Sequence, residues 1–183
     1  MLALVPLLLL QPAAAQPAKP TEAPAEHTVS LTTSLVTPFF SAYYLEGKLR
    51  ATGKLALVLN ASFLTLERDD WQTRTGTVGV GVDYFFQGHA LRGWYVEGIG
   101  ELWFSSWRHE PSNQRAPLVL GYAGVAVVGY QIVFDFGPVL DLGAGAVAFH
   151  TPPAHVELAS GSVSSGALTQ FYPAVKLDVG WAF

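Results

Sequence analysis

The sequence predicts an all-β protein, an eight-stranded antiparallel up-and-down β-barrel whose strands cross a membrane. Segments with a period of two recur from Val29 onward, separated by turn-forming residues. Half of the 183 residues are apolar, only 13% are charged, and the mean hydropathy is +0.32. A soluble domain usually carries about a quarter charged residues. The even number of segments, each about ten residues or longer, is what tilted crossings by a closed barrel require.

The clearest segment is Phe171–Phe183, where apolar and small or charged residues alternate strictly from Ala174 onward. One face is apolar and the other holds Lys176 and Asp178 among small residues. An apolar alternation that finishes on an aromatic residue resembles the closing strand of an outer-membrane barrel, and this resemblance implies a C-terminal insertion signal. The residues of this predicted signal are Val175, Leu177, Val179, Trp181 and Phe183.

Seven further segments show the same alternation and complete the predicted set. The predicted strands are Val29–Thr37, Phe39–Arg50, Leu55–Leu66, Thr75–Gln87, Trp94–Trp107, Leu118–Phe134, Val139–His150 and Phe171–Phe183. Short turns are predicted around Gly53, at Gly88–Gly93 and at Asp135–Pro138. Apart from a short first connection near Pro38, the other connections are longer and more polar: Glu67–Arg74, Arg108–Pro117 and Thr151–Gln170. Short turns at one end and loops at the other are the layout of transmembrane barrels.

The N-terminal residues predict export. Residues 1–15 have a short apolar run followed by small residues, which indicates a secretory signal peptide, although no Lys or Arg precedes the run. Residues 16–27 are rich in Pro, Ala and Glu and predict a disordered periplasmic tail. The barrel then comprises residues 28–183, and the predicted location is the outer membrane of a Gram-negative bacterium.

Two other folds compete with this interpretation. Leu118–Phe134 carries no charge and could form a buried or membrane helix, but its Gly and β-branched residues favour a strand. A secreted β-sandwich or a lipocalin-like barrel is the second alternative. It is disfavoured because no strand carries polar residues on the face that the barrel would turn outward.

The other face of the strands predicts a polar lumen. Tyr44, Asn60 and Gln131 share this face with nine charged residues: Glu46, Lys48, Arg50, Asp83, Glu97, Glu101, Asp141, Lys176 and Asp178. Charges that share a narrow interior must pair, because an isolated buried ion is costly. Eight strands leave room only for side chains or one small ligand. The first expectation is therefore an ion-paired plug, and the sharper alternative is a narrow conduit for small solutes or cations.

Aromatic residues predict two girdles at the membrane interfaces. Tyr84, Phe86, Trp94, Trp181 and Phe183 fall near the short-turn end. Another group falls near the loop end: Phe39, Phe40, Phe63, Phe104 and Phe149.

The sequence gives only weak evidence for a catalytic or metal site. A lipid hydrolase at the loop rim would draw on Ser105, Ser106, His109, Glu110, His150 and His155. No spacing motif links these residues, and His109 with His150 makes only a weak metal pair. The chain has no Cys, which excludes zinc–thiolate sites and cysteine nucleophiles, and its net charge of −4 argues against nucleic acid. We expect no enzymatic activity and no cofactor.

Several motifs resemble those of known membrane proteins. The alternating segments and the terminal VKLDVGWAF are similar to small outer-membrane barrels of the OmpA/OmpX/OmpW type. More narrowly, VGVDYFF, GWYVEG, GYQIVF and LDLGAGAVAF resemble an uncharacterised group of short outer-membrane proteins. The resemblance implies a barrel with a structural or loop-mediated binding role. Its implied partners are outer-membrane lipid and lipopolysaccharide, with the barrel assembly machinery and periplasmic chaperones during biogenesis.

Overall fold

A computed structural model describes residues 27–183 except 69, 88, 110–113, 116–117 and 159–160. Eight long strands form the barrel, and we number them in chain order. They are β1 Val29–Ser34, β2 Ala42–Arg50, β3 Leu55–Arg68, β4 Trp71–Phe85, β5 Gly93–His109, β6 Val119–Val133, β7 Pro138–Thr151 and β8 Leu168–Ala182. The predicted signal peptide (1–15) and the predicted tail up to residue 26 lie outside the described residues.

The eight strands form a closed antiparallel barrel. Each strand pairs with its neighbours in the sequence, and β1 also pairs with β8, which closes the cylinder. The 3-10 turn Thr37–Phe40 lies between β1 and β2, and the hairpin Ala154–Leu158/Gly161–Ser165 lies between β7 and β8. The all-β class and the up-and-down order of eight antiparallel strands are therefore confirmed.

The pairing register fixes the shape of the barrel. Ala182 and Tyr172 on β8 are joined around the circumference by one directly paired residue on each other strand: Ser30, Lys48, Val58, Gly81, Ile99, Val125 and Val147. The circuit therefore returns to β8 ten residues from its start. With 3.3 Å per residue and 4.8 Å between strands, this stagger gives a tilt of about 40° and a radius of about 8 Å. An interior of that width is filled by side chains.

The two ends of the barrel differ in their connections. The described residues of the connections 51–54, 86–92 and 134–137 lie at one end together with Thr28 and Phe183, and we call it the short-turn end. The Phe183 carbonyl accepts hydrogen bonds from the amides of Thr28 and Val29, and its own amide donates to the Val29 carbonyl. At the opposite end, the loop end, lie the described residues of the connections 35–41, 69–70, 110–118 and 152–167.

Apolar side chains fill the lumen at the short-turn end. Phe85, Leu91 and Tyr95 are almost completely buried, with Ala56 and Ala90 beside them. Val133, Val139 and Ala182 form a second small cluster nearby. Gly137 has a φ of +119° in the last short turn, and a Cβ there would overlap the Trp181 ring. This turn therefore requires glycine for its conformation and for the space that Trp181 occupies.

Several predicted boundaries near the loop end were wrong. The predicted loop Glu67–Arg74 lies mostly in β3 and β4, because polar cross-strand pairs such as Gln72 Nε2 to Glu67 Oε1 (2.9 Å) continue the ladder. β8 begins at Leu168 rather than Phe171, and the predicted loop before it contains a hairpin. β1 ends at Ser34. The alternation of apolar and polar residues disappears where both faces are polar, so the sequence pattern stops before the strands do.

Candidate functional site: the polar lumen

The inward face of the barrel carries the charged residues that the alternation groups together. Glu46, Lys48, Asp83, Asp141 and Asp178 are each at most 1% exposed, and Glu97 and Lys176 are also buried. Glu101 is partly buried above them, where its Oε1 accepts a hydrogen bond of 2.6 Å from Asn60 Nδ2. Arg50 is half-buried at the short-turn end of the same face.

Lys48, on β2, is the most enclosed cation. Its Nζ lies 2.6 Å from Asp83 Oδ2 and 3.0 Å from Asp141 Oδ2. It also lies 3.5 Å from Glu46 Oε1 and 3.6 Å from Glu97 Oε2, and 4.3 Å from the centre of the Tyr95 ring. A single ammonium therefore meets four carboxylates and an aromatic face, an arrangement that offsets the cost of its burial.

Lys176 joins the same group from β8, which is separated from β2 only by β1. Its Nζ donates to Glu46 at 2.7 and 2.9 Å and to Glu97 Oε2 at 2.7 Å, and lies 3.6 Å from Asp141 Oδ2. We call these six residues the lysine–carboxylate cluster: Glu46, Lys48, Asp83, Glu97, Asp141 and Lys176. They come from β2, β4, β5, β7 and β8, so the cluster bridges the whole width of the lumen.

Two tyrosine hydroxyls extend the cluster. Tyr95 donates a hydrogen bond of 2.6 Å to Asp141 Oδ1, and Tyr44 donates to Glu46 Oε2. The sequence interpretation included Tyr44 on the inward face but missed Tyr95. The position of Tyr95, two residues before Glu97, could have placed it on the inward face, because residues i and i+2 of a strand share a face.

Negative charge exceeds positive charge in the middle of the lumen. The cluster holds four carboxylates and two ammonium groups, and Asp178 and Glu101 add two more carboxylates on the same face. Some buried oxygen and nitrogen atoms have no hydrogen-bond partner within the described part of the chain. They include Asp178 Oδ2, both side-chain polar atoms of Gln131, Thr32 Oγ1 and Ser30 Oγ.

Toward the loop end, the β6–β8 side of the lumen is more open and mostly apolar, whereas the β3–β5 side carries polar pairs such as Ser62 Oγ with Thr77 Oγ1 (2.8 Å). Val125, Val147, Phe149 and Ala174 face inward and are partly exposed, and the inward-facing Tyr172 is 46% exposed. Phe149, predicted for the loop-end girdle, does not join it. It faces inward because it has the parity of Asp141, and its ring contacts Tyr172 edge to face at 6.0 Å. The Phe39 and Phe40 side chains lie outside the description.

The outward face of the barrel is apolar around its circumference. On β5 the exposed rings of Trp94 and Phe104 are ten residues apart, with only Val96, Gly98, Gly100 and Leu102 outward between them. At a tilt of about 40° this spacing corresponds to about 25 Å along the barrel axis, the height of the apolar band of outer-membrane barrels. The described outward faces of the strands carry Asp, Glu, Lys, Arg or His only near the loop end, at Glu67, Arg74, Arg108 and His150.

Exposed aromatic side chains occur at both edges of this band. At the short-turn end they are Tyr84, Phe86, Trp94, Trp181 and Phe183. At the loop end they are Tyr43, Phe63, Phe104, Tyr122 and Phe171. Of the residues predicted to form the insertion signal, Val175, Trp181 and Phe183 are exposed, and Leu177 and Val179 are partly exposed on the same face.

Among the rim-hydrolase candidates whose side chains are described, Ser105 and His150 contact threonine hydroxyls and not each other. Ser105 Oγ lies 2.9 Å from Thr75 Oγ1, and His150 Nδ1 lies 2.9 Å from Thr169 Oγ1. The His150 ring also stacks on Tyr122 with ring centres 4.5 Å apart. The side chains of His109, Glu110 and His155 lie outside the description.

Within the described ranges, no three His, Cys, Asp or Glu side chains are grouped so that they could hold a metal ion. The described part of the chain also contains no helix with the length and apolar character needed to cross a membrane.

Comparison with known proteins does not identify a family. No model of a known protein family matches the chain, and no curated protein matches it. The fold and the lumen define an architectural class: a closed eight-stranded antiparallel barrel with charged residues inside and apolar residues outside.

Proposed function

We propose that this chain is an integral protein of a bacterial outer membrane, with its barrel across the bilayer and its lumen closed by the lysine–carboxylate cluster. The observation that supports this most strongly is the inversion of polarity. Val80 and Leu59 are 64% and 63% exposed at mid-height, whereas Glu46, Asp83 and Asp141 are 0% exposed. Exposed apolar surface of this extent is unfavourable in water and favourable in hydrocarbon.

The proposed role is structural, or binding through the loop end, without catalysis. The cluster closes the lumen because its two ammonium groups tie together carboxylates from non-neighbouring strands. Glu46 and Lys176, for example, are held at 2.7 Å although they lie 130 residues apart in the sequence. Export by a signal peptide, insertion by the barrel assembly machinery and delivery by periplasmic chaperones are parts of this proposal. So is membership of the OmpA/OmpX/OmpW type, which is supported by the strand motifs.

The loop end supports the proposed contact with lipopolysaccharide. Arg74 and Arg108 lie on the outward faces of β4 and β5, diagonal to one another beyond the level of Phe104. Guanidinium groups at this height can bind phosphate groups of the outer leaflet in the bidentate manner that arginine favours. The proposed orientation therefore places the loop end at the cell surface.

Two measurements on cells and membranes test the location. We expect the protein in the outer-membrane fraction, and we expect its band to migrate differently on gels before and after heating, because a closed barrel resists detergent unfolding. The deletion of Phe183 should block assembly, since Phe183 bonds to Thr28 and Val29 across the barrel closure. Recovery of the wild-type chain in the soluble periplasmic fraction would contradict the proposal. A normal membrane yield of the variant that lacks Phe183 would contradict the predicted block in assembly.

A narrow channel is the second candidate, and the surplus of inward carboxylates favours it. A cation entering from the loop end would meet Glu101 and then the cluster, which it could pass only if the lysine contacts opened. Planar-bilayer recordings separate the two functions. The closed-lumen proposal predicts no unit conductance steps, whereas regular steps that disappear in Glu97→Gln and Glu101→Gln would establish the channel. A rim lipid hydrolase has no support from the described contacts of Ser105 and His150.

A further inference from the structure

We propose that the barrel wall has a lateral window near the loop end and that an acyl chain of an outer-leaflet lipid enters it and lies against the inward-facing Tyr172. The window is bordered by residues 171–175 of β8 on one side and by residues 42–43 of β2 on the other. This inference rests on the membrane location proposed above.

The window exists because β1 is the shortest strand of the barrel. β1 ends at Ser34, which pairs with Asp178, whereas β8 extends from there to Leu168. Within the described part of the chain, one further backbone hydrogen bond follows, from the Leu35 amide to the Leu177 carbonyl (2.9 Å). The 3-10 turn after it packs mainly against β2. The loop-end part of β8 is therefore separated from the backbone of β2 by the place of one missing strand, which is about 10 Å wide.

Side chains at the borders of the window are more exposed than those elsewhere on the outward face. Phe171 and Val175 on β8 are 75% and 74% exposed, and Tyr43 on β2 is 72% exposed. The other described large apolar side chains of the eight strands are at most 65% exposed. A missing neighbour strand explains the difference, because opposed and diagonal side chains of adjacent strands normally cover one another.

The inward face shows the same asymmetry. Tyr172 on β8 is 46% exposed, whereas Trp103 on β5 and Ala123 on β6 are 9% and 5% exposed. With the pairing register and the tilt of about 40°, these three inward residues lie within about 2 Å of one level along the barrel axis. Tyr172 is therefore exposed through the side of the barrel and not only through its loop end.

The window lies at the height of the outward apolar band. By the same register, Phe171 lies at about the level of Phe104, which marks the loop-end edge of the band, and Val175 lies about 10 Å nearer the middle. Lipid chains therefore adjoin the opening. An acyl chain that enters it meets Tyr172 and the partly exposed Ala174 on the inward side without crossing a charged surface.

Pro173 marks this edge of β8 as one that does not take another strand. Alternate residues of an antiparallel strand direct their backbone groups to the same side, so Pro173 faces the window as Leu177 faces β1. Proline cannot donate to a ladder, which disfavours a peptide strand as the occupant. Its missing N–H also removes one polar group that would otherwise face hydrocarbon. A second copy in the same orientation would cross β8 steeply, because both strands would tilt the same way.

Photolabelling of the native chain by a lipid tests the window. The full chain is assembled into phosphatidylcholine nanodiscs that contain a trace of phosphatidylcholine with a diazirine in the middle of one acyl chain, and labelled residues are identified by mass spectrometry. Tyr172 should be labelled to an extent comparable with Tyr122, which is outward-facing at a similar level, and the enclosed Tyr95 should not be labelled.

The outcomes separate the window from the membrane location. Labelling of Tyr122 with Tyr172 as unlabelled as Tyr95 would overturn the window, whether water, a peptide or a second copy then fills the opening. Absence of label from all three tyrosines would contradict the membrane location itself, and the window with it.

A variant with a polar side chain in the window sharpens the test. Ala174→Gln should lower the labelling of Tyr172 relative to Tyr122 about tenfold, because an amide finds no hydrogen-bond partner among acyl chains. The matched variant Thr77→Gln, inward on β4 at a similar level, should keep the wild-type ratio. An unchanged ratio in Ala174→Gln would refute the window as the route of the chain. If this variant does not fold, the labelling of the native chain still decides the proposal.

Discussion

The two halves of the lumen differ in both polarity and access. In the half nearer the short-turn end, charged groups are fully enclosed, as Lys48 at 1% exposed and Asp83 at 0% show. Toward the loop end, the inward side chains of β6, β7 and β8 are mainly apolar, and Tyr172 remains 46% exposed. The inward side chains of β3, β4 and β5 at this end include Ser62, Thr77 and the partly exposed Glu101. The barrel therefore concentrates its ion pairs in the closed half, where they join strands across the lumen.

The largest effect is expected from the removal of a buried cation. Lys48→Met removes the ammonium group that lies 2.6 Å from Asp83 and leaves Lys176 beside Glu46, Glu97 and Asp141. It should lower the free energy of unfolding by about 3–5 kcal/mol or prevent folding. Urea unfolding in lipid vesicles, followed by tryptophan fluorescence, measures the change. Lys54→Met, in an exposed turn, is the control and should leave the midpoint unchanged. Equal midpoints for both variants would mean that the cluster does not hold the closed half together.

A charge on the outside of the barrel tests the opposite surface. Val80→Arg should cost about 2–4 kcal/mol, because Val80 lies at mid-height on the outward face and would place a guanidinium in hydrocarbon. The same change at Phe86, near the short-turn end, should cost about 0–1 kcal/mol. Folding yield and urea midpoints in vesicles give both values. A barrel surrounded by water would tolerate both substitutions equally.

Two glycines on β6 allow the packed interior to be compared with the open exterior. A Cβ at Gly129 would lie 2.5 Å from the Tyr95 ring and 2.7 Å from the Leu142 carbonyl oxygen, whereas a Cβ at Gly124 would meet nothing within 4 Å. Gly129→Ala should therefore destabilise the barrel by about 1–3 kcal/mol, and Gly124→Ala should be nearly neutral. Thermal unfolding of the two variants measures the difference. A similar loss from both would indicate a backbone effect rather than crowding.

The smallest effect compares the two halves of the lumen directly. Ala56 is 0% exposed in the closed half, and Ala174 is partly exposed in the open half. Ala56→Val should cost about 1–3 kcal/mol through overpacking, and Ala174→Val should change stability by less than about 0.5 kcal/mol. The urea unfolding midpoints of the two variants, measured under the same conditions, give both changes in stability. If Ala174→Val were the more harmful substitution, the loop-end half would be as tightly packed as the other.

The strand alternation made the fold and the two faces predictable, because a period of two assigns each residue to one side of the sheet. Leu59 and Asn60, or Val82 and Asp83, differ by one position and fall on opposite faces. Strand ends were less predictable. Leu66 to Glu67 and Trp71 to Thr73 continue the ladder through polar pairs that resemble loop residues in the sequence.

The ion pairs themselves could not be predicted from the sequence. Lys48 on β2 reaches Asp141 on β7, and Lys176 on β8 reaches Glu97 on β5. These partners lie on strands that are not neighbours, so their contact depends on the barrel radius and on the ten-residue stagger, which emerge only from the complete pairing. The contribution of Tyr95 depends in the same way on a hydrogen bond across the lumen.

The most direct test of the central claim measures what surrounds the outward face. Because the chain has no cysteine, single-cysteine variants at Val78, Val80 and Val82 can each carry one spin label, with Glu67 as the loop-end reference. In bilayers, the three valine sites should be relaxed by oxygen and shielded from a water-soluble nickel chelate, and the Glu67 site should show the opposite. Nickel access at Val80 equal to that at Glu67 would contradict a barrel whose apolar exterior faces lipid.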